Sequence, residues 1–226
     1  MTRSVLFDTE TTGLNPLTGD RVIEVAALEL INGLPTGISF HRLIDPERDI
    51  PPDATRIHGI RMADIAGKPR FAGIVDDLLE FLGDDPLVAH NAPFDFGFLD
   101  AELSRVGREP LLRARMIDTL LLAKTRFPGM PNSLDALCRR FDIDLSARTT
   151  HNALLDCQLL AEVYVELTGG RQRGLVLAED GQEGFSAMVY TLAGPRTRHL
   201  VVASEAELAA HDAFVARLND PVWLAS

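Results

Sequence analysis

Asp8 and Glu10 stand two residues apart in the run Ser4-Val5-Leu6-Phe7-Asp8-Thr9-Glu10-Thr11-Thr12-Gly13. Val5, Leu6 and Phe7 make a short apolar stretch, closed by the turn signal Gly13-Leu14-Asn15-Pro16, which reads as a buried strand. Residues two apart on a strand share a face, so both carboxylates point the same way. Side by side on an apolar strand they repel unless a cation or a proton lies between them. A hard divalent ion such as magnesium, which takes carboxylate oxygens, relieves that repulsion. The plain alternative is an edge strand carrying two solvated acids, and Asp-x-Glu alone does not separate the two.

Four more positions carry chemistry-bearing groups. Asp95 falls in the first turn of a helix, His151 and Asp156 flank the start of the last long one, and His58 lies in a loop before Gly59-Ile60. Each also has an ordinary reading. Asp95 suits a helix N-terminus electrostatically, His151 and His58 suit a surface or loop, and Asp156 suits a solvated helix face.

The elements that would position these groups follow from periodicity and turn residues. After the Asp8/Glu10 strand come an apolar run over 21–31, the turn Asn32-Gly33 and a run over 40–44, which together predict an antiparallel meander. Residues 51–60 are expected to form a loop or a helical turn leading into a helix around 62–65. Ile74, Leu78, Leu79 and Leu82 have helical spacing and stop at Gly83-Asp84-Asp85-Pro86. Leu87-Val88-Ala89-His90-Asn91 predicts a strand, and Pro93 suits the first turn of the next helix, which ends at Gly107. The stretch 116–123 is apolar, with a helix favoured after Asp118. Ser133 resembles a cap for a helix through Phe141, and a final helix runs from His151 or Asn152 to Leu167. Strands first, then strands alternating with helices, predict a mixed α/β sheet flanked by helices.

Three segments together carry a resemblance: Phe7-Asp8-Thr9-Glu10-Thr11-Thr12-Gly13, His90-Asn91-Ala92-Pro93-Phe94-Asp95 and His151-Asn152-Ala153-Leu154-Leu155-Asp156. In order and spacing they resemble the motifs of the DEDD exonuclease superfamily, in the variant whose last motif carries a histidine. The resemblance covers about residues 4–168 and implies a ribonuclease H-like fold. It implies that Asp8, Glu10, Asp95 and Asp156 hold two magnesium or manganese ions, Asp95 through water, and that His151 is the general base. Direct metal ligation by His151 is the other role open to it. His58 would contact the terminal nucleotide, with Asp53 nearby. Thr9 and Thr12 would border the base and sugar pocket beside Asp8, Glu10 and Asp156, and Leu14 would wedge beneath the base. That chemistry is coherent: two dications about 3.5–4 Å apart can activate water and relieve charge on a departing 3′ oxygen. A histidine with a pKa near 6.5 can take the water's proton. The product would be a nucleoside 5′-monophosphate.

Further segments narrow the resemblance. Ser133-Leu134-Asp135-Ala136-Leu137-Cys138, Leu160-Ala161-Glu162-Val163-Tyr164, and Glu207-Leu208-Ala209-Ala210-His211 with Trp223 are similar to the epsilon proofreading-subunit family of bacterial DNA polymerase III. This implies a 3′–5′ exonuclease domain over 1–170, a linker over 171–198 and a polymerase-binding tail over 199–226. The tail would bind the polymerase (alpha) subunit. Ser204 with Glu207 makes a capping-box signature for a helix to about Leu218, after a short strand over 199–203. So small a unit cannot bury its own apolar stripe, so it is expected to dock. Gln172-Arg173-Gly174-Leu175-Val176-Leu177 resembles a degenerate sliding-clamp peptide, and an ordinary linker fits it equally well. The linker is also more apolar than a free tether needs. The expected function is DNA proofreading. An RNA 3′ exonuclease of the ribonuclease T or oligoribonuclease kind, and a non-catalytic polymerase adaptor, are the alternatives.

Composition bounds these readings. The chain has 226 residues, 46% hydrophobic and 24% charged, with a net charge of −11. Such a chain suits one sizeable globular core. It is too acidic to grip duplex DNA by broad phosphate neutralisation, so a partner would hold the polymer. No apolar run reaches the roughly 20 residues of a membrane span, and nothing resembles a signal peptide, so a cytoplasmic location is expected. Cys138 and Cys157 lack metal-ligand spacing and read as buried thiols, and zinc chemistry lacks its ligands.

Overall fold

The middle strand of the sheet is the one that carries Asp8 and Glu10. In the computed structural model, which describes residues 2–148, 150–169 and 203–217, five strands are ordered β3-β2-β1-β4-β5. They are β1 (Arg3–Thr11), β2 (Val22–Ile31), β3 (Leu34–Leu43), β4 (Leu87–Ala89) and β5 (Met116–Asp118). The first three form the expected antiparallel meander, and β4 and β5 add in parallel. The edge-strand alternative for Asp8 and Glu10 is therefore excluded. Asn32 (φ 53°) and Gly33 (φ 81°) close the β2–β3 hairpin. Positive φ at both positions is what a two-residue hairpin loop requires, and Asn-Gly supplies it at least cost.

The helices are α1 (Pro52–His58), α2 (Met62–Ile65), α3 (Val75–Leu82), α4 (Ala92–Arg105), α5 (Thr119–Arg126), α6 (Leu134–Arg140) and α7 (Ala153–Leu167). They cover the two faces of the sheet, and the alternation along β1 decides which side chain meets which layer. Val5 and Phe7 join the cluster built with α3 and α4, where Phe7 meets Phe96 edge-on at 5.6 Å. Leu6 joins the opposite cluster with Leu137, Cys138, Cys157 and Leu160 of α6 and α7. Both cysteines are buried free thiols, and burial raises both above the ordinary thiol value.

The strand-or-helix ambiguity over 116–123 resolves as both. Residues 116–118 extend the sheet, and a helix starts at Thr119, capped by the Asp118 carboxylate on the Leu120 N–H. Ser133 caps α6 through its side chain, as the sequence predicts, and Asn152 caps α7 in the same way. No described helix is long and apolar enough to cross a membrane.

The chain divides into two units, Met1–Leu175 and Val176–Ser226. The second contains α8 (Glu205–Val215), whose expected capping box is formed reciprocally by Ser204 and Glu207. Leu208 and Phe214 are exposed on it. The 171–198 linker, the 172–177 peptide, the run 199–202, Leu218 and Trp223 lie outside the described residues.

Candidate active site

Parity brings the acids together. Leu6, Asp8 and Glu10 share one face of β1, and Leu6 packs under α7, so both carboxylates face the helix that carries Asp156. Thr9 points to the opposite face, toward α4. Its backbone N–H and its hydroxyl both donate to Asp95 Oδ1, at 3.1 and 2.7 Å. Asp95 reaches that position because α4 starts at the end of β4, the parallel neighbour of β1. The start of α4 is in turn held by Asp118, whose Oδ1 accepts from the N–H groups of Asn91 and Ala92 at 3.0 and 3.3 Å.

The N-terminus of α7 is tied to the sheet by Glu24 of β2. This buried carboxylate accepts from His41 Nε2 at 2.6 Å, Asn152 Nδ2 at 3.1 Å and the Ala153 N–H at 3.1 Å. With α7 fixed in this way, Asp156 and His151 meet Glu10. One ligand atom from each of Glu10, His151 and Asp156 lies within 4.8 Å of the others. An open cleft of about 530 Å³ runs past Asp8, His90, Asn91, Asp135, Arg148, His151 and Asp156.

Burial and mutual repulsion set the electrostatics of the acids. Burial pushes the Glu10 carboxyl up to about 8, and the charges of Asp156, Glu24 and Asp95 add to the shift. Asp8 is raised well above the carboxylate range by burial and then by Asp95 and Glu10. Burial also raises Asp95, to about 7, against the two bonds from Thr9. Asp156 behaves differently. Its burial would raise it, but the hydrogen bonds from Arg148 outweigh that, and it sits below the ordinary value.

A divalent cation fits this donor set, because the raised acids are oxygen donors whose mutual repulsion a dication removes. The tightest grouping includes His151, beside Glu10 and Asp156, so the direct-ligand role for this histidine stays open on distance. Asp8 shares the cleft, and Asp95 is held just behind it by Thr9.

The other sequence-predicted residues fall in different places. His58, expected in a loop, is instead the buried last residue of helix α1, its Nδ1 accepting from the Ile60 N–H at 3.0 Å while its Nε2 has no partner among the described residues. Burial lowers its pKa, Glu24 opposes the shift, and His151 adds to it. The His151 N–H donates to Ile57 O at 3.1 Å, which joins the two histidine segments. Thr12 is buried with its hydroxyl accepting from the Arg21 N–H at 3.0 Å, so it closes the loop after β1. Asp53 faces solvent and pairs with Arg56 in its own helix. Leu14 is 80% exposed at the loop tip. Glu24 and Arg148 escaped sequence reasoning, because single charged residues carry no motif until the register is known, and Asp118 and Asp135 read in sequence only as a helix boundary and as part of a motif.

Comparison with known proteins meets this geometry. Residues 5–164 match the family model described as Exonuclease. DNA polymerase III subunit epsilon of Rickettsia conorii is 45% identical over 226 residues, covering 96% of each chain. The chain belongs to the DNA polymerase III subunit epsilon family of exonucleases. The Escherichia coli epsilon subunit is 40% identical over 224 residues, covering 94% of this chain and 92% of that one. Among solved structures, Exonuclease X in complex with 5′ overhanging duplex DNA matches at a TM-score of 0.58 and 29% identity, covering 75% of this chain and 92% of that chain. A zinc-bound Escherichia coli exonuclease I–ssDNA complex matches at a TM-score of 0.65 and 19% identity, covering 76% of this chain and 41% of that chain, a likeness of fold. For an epsilon-family exonuclease, the observed sheet is the expected ribonuclease H-like one.

Proposed function

We propose that this chain is a 3′–5′ DNA exonuclease that proofreads for a replicative polymerase. The observation that carries this reading is that Asp8, His151 and Asp156 line one cleft, with Glu10 grouped against His151 and Asp156 and Asp95 bonded to Thr9 between the two β1 acids, in a chain of the epsilon family. Asp8, Glu10, Asp95 and Asp156 would hold two magnesium or manganese ions, which supply Lewis acidity to the phosphate and lower the pKa of a water. His151, half-exposed at the cleft, takes the water's proton. Thr9 fixes Asp95 so that its charge stays in place as the phosphate enters. The unpartnered Nε2–H of His58 is a donor available to the terminal nucleotide. A free donor buried this deeply is costly unless a ligand meets it.

The acidic balance is consistent with a division of labour. The polymerase (alpha) subunit, bound through 199–226, holds the DNA, and a sliding clamp bound through 172–177 would add to the grip. A domain boundary near 170 and a cytoplasmic location complete the reading.

The test is magnesium-dependent nucleotide release from a 3′-mismatched DNA primer, with a matched RNA oligonucleotide beside it. Wild type releases 5′-monophosphates from DNA. His151→Ala reduces the rate by roughly 10²–10⁴-fold, and Asp8→Ala abolishes it. A strong preference for RNA overturns the proofreading assignment. Inactivity on both substrates favours a non-catalytic adaptor.

A further inference from the structure

Arg148 lies in the loop before α7 and is nearly buried, its side chain 9% exposed. Its guanidinium grips Asp156 with both arms, Nε to Oδ1 at 2.6 Å and Nη2 to Oδ2 at 2.7 Å. The same Nη2 donates to His151 Nδ1 at 3.0 Å, and Nη1 pairs with Asp135 of α6. One side chain therefore occupies both oxygens of an acid in the Glu10–His151–Asp156 grouping and one ring nitrogen of the histidine. A carboxylate already neutralised by a bidentate guanidinium offers a cation less attraction and fewer open lone pairs. A nitrogen that accepts from arginine cannot accept from water. Arg148 fills the electrostatic place beside Asp156 that a dication would otherwise take.

We propose that Arg148 is a displaceable counter-ion. It holds Asp156 and His151 in register while the site lacks a dication, and it must leave Asp156 before the site becomes competent. Asp135 is the anchor that keeps the released guanidinium at the cleft rim, since it contacts Arg148 independently of Asp156 and lines the same cleft. Arg148 is in these terms a positioning residue, acting through Asp156 and His151. The inference rests on the divalent-cation reading above.

The test is manganese binding to the full 226-residue chain, followed by calorimetry and by the loss of the free-ion magnetic resonance signal, in wild type, Arg148→Gln and Arg148→Lys. Removing a competing charged hydrogen-bond partner is expected to tighten manganese binding by about tenfold or more in Arg148→Gln. Arg148→Lys, which keeps the charge but not the fork, should fall between the two. A merely structural role predicts the opposite sign, because a loosened site binds metal more weakly. Unchanged or weaker binding in a cooperatively unfolding Arg148→Gln overturns the proposal. Where that variant does not fold, the Arg148→Lys comparison decides, with unchanged or weaker binding again overturning it. A wild type that binds no manganese overturns the metal reading itself, which is a distinguishable result.

Discussion

Glu10 lies directly opposite Glu24 in the β1–β2 ladder, at the last pair before the register shifts between Glu10 and Thr11. Like charges facing each other across a ladder are destabilising. The two carboxylates have different tasks here. Glu24 spends its oxygens on His41, Asn152 and Ala153, whereas Glu10 joins His151 and Asp156.

Glu24 thus governs where α7 begins. Glu24→Ala leaves the Ala153 N–H and the Asn152 amide without acceptors, and is expected to cost about 1–3 kcal/mol for each buried donor left unpaired. Glu24→Gln retains an acceptor and should cost less. Chemical denaturation measures the cost, and nucleotide release should fall in the same order, because His151 and Asp156 move with the helix.

Acid should stabilise the metal-free protein. Glu10 rises from an ordinary 4.5 to about 8, and Asp95 from 3.8 to about 7. Between those limits the unfolded chain has released its protons while the folded chain keeps them, so stability falls as pH rises. Asp156, which is lowered, acts in the other direction only below its ordinary 3.8. Thermal unfolding in chelator should therefore show a higher Tm at about pH 5.5 than at about pH 8, and added manganese should raise Tm most at the higher pH. A Tm that climbs from pH 5.5 to 8 in chelator would count against the repulsion described.

Thr9→Val tests the rear support of Asp95. The substitution keeps the shape and the backbone bond but removes the 2.7 Å hydroxyl donor. The expected cost is about 1.5–3 kcal/mol of stability, with a drop in turnover greater than any change in primer affinity. Unaltered turnover would mean that the backbone N–H of Thr9 alone positions Asp95.

Residues 1–170 alone should fold and digest short single strands at near wild-type rate, but fail to bind the polymerase alpha subunit. Size-exclusion chromatography with that subunit reads the second half of this expectation. Co-elution of the truncated chain would place the docking surface inside the nuclease domain.

Asp8, Glu10, Asp95, His151 and Asp156 could be singled out in the sequence because they fall in short contiguous motifs that together resemble those of a known family. Asp8 and Glu10 share a face by strand parity, and Asp95 and Asp156 follow from helix starts. The meander was legible from Asn32-Gly33. Glu24 was not, since its meaning depends on facing Glu10 across a ladder and Ala153 across the sheet, a relation set by register. Arg148 was hidden for a similar reason. Its three partners come from two helices and a loop, and nothing local tells it from a solvated arginine. Asp118 reads in sequence as the residue before a helix, and only the parallel pairing of β4 and β5 brings it to the N–H groups of Asn91 and Ala92.

Asp8 belongs to the first strand and Asp156 to the last helix of the domain, with α7 packed on β1 and β2. During synthesis, β1 leaves the ribosome long before α7 exists. A nascent chain lacking α7 holds Asp8 and Glu10 but neither His151 nor Asp156. On the proposed assignment, the nuclease site would be completed by the final stretch of its own domain, and products that end before α7 would carry an incomplete one.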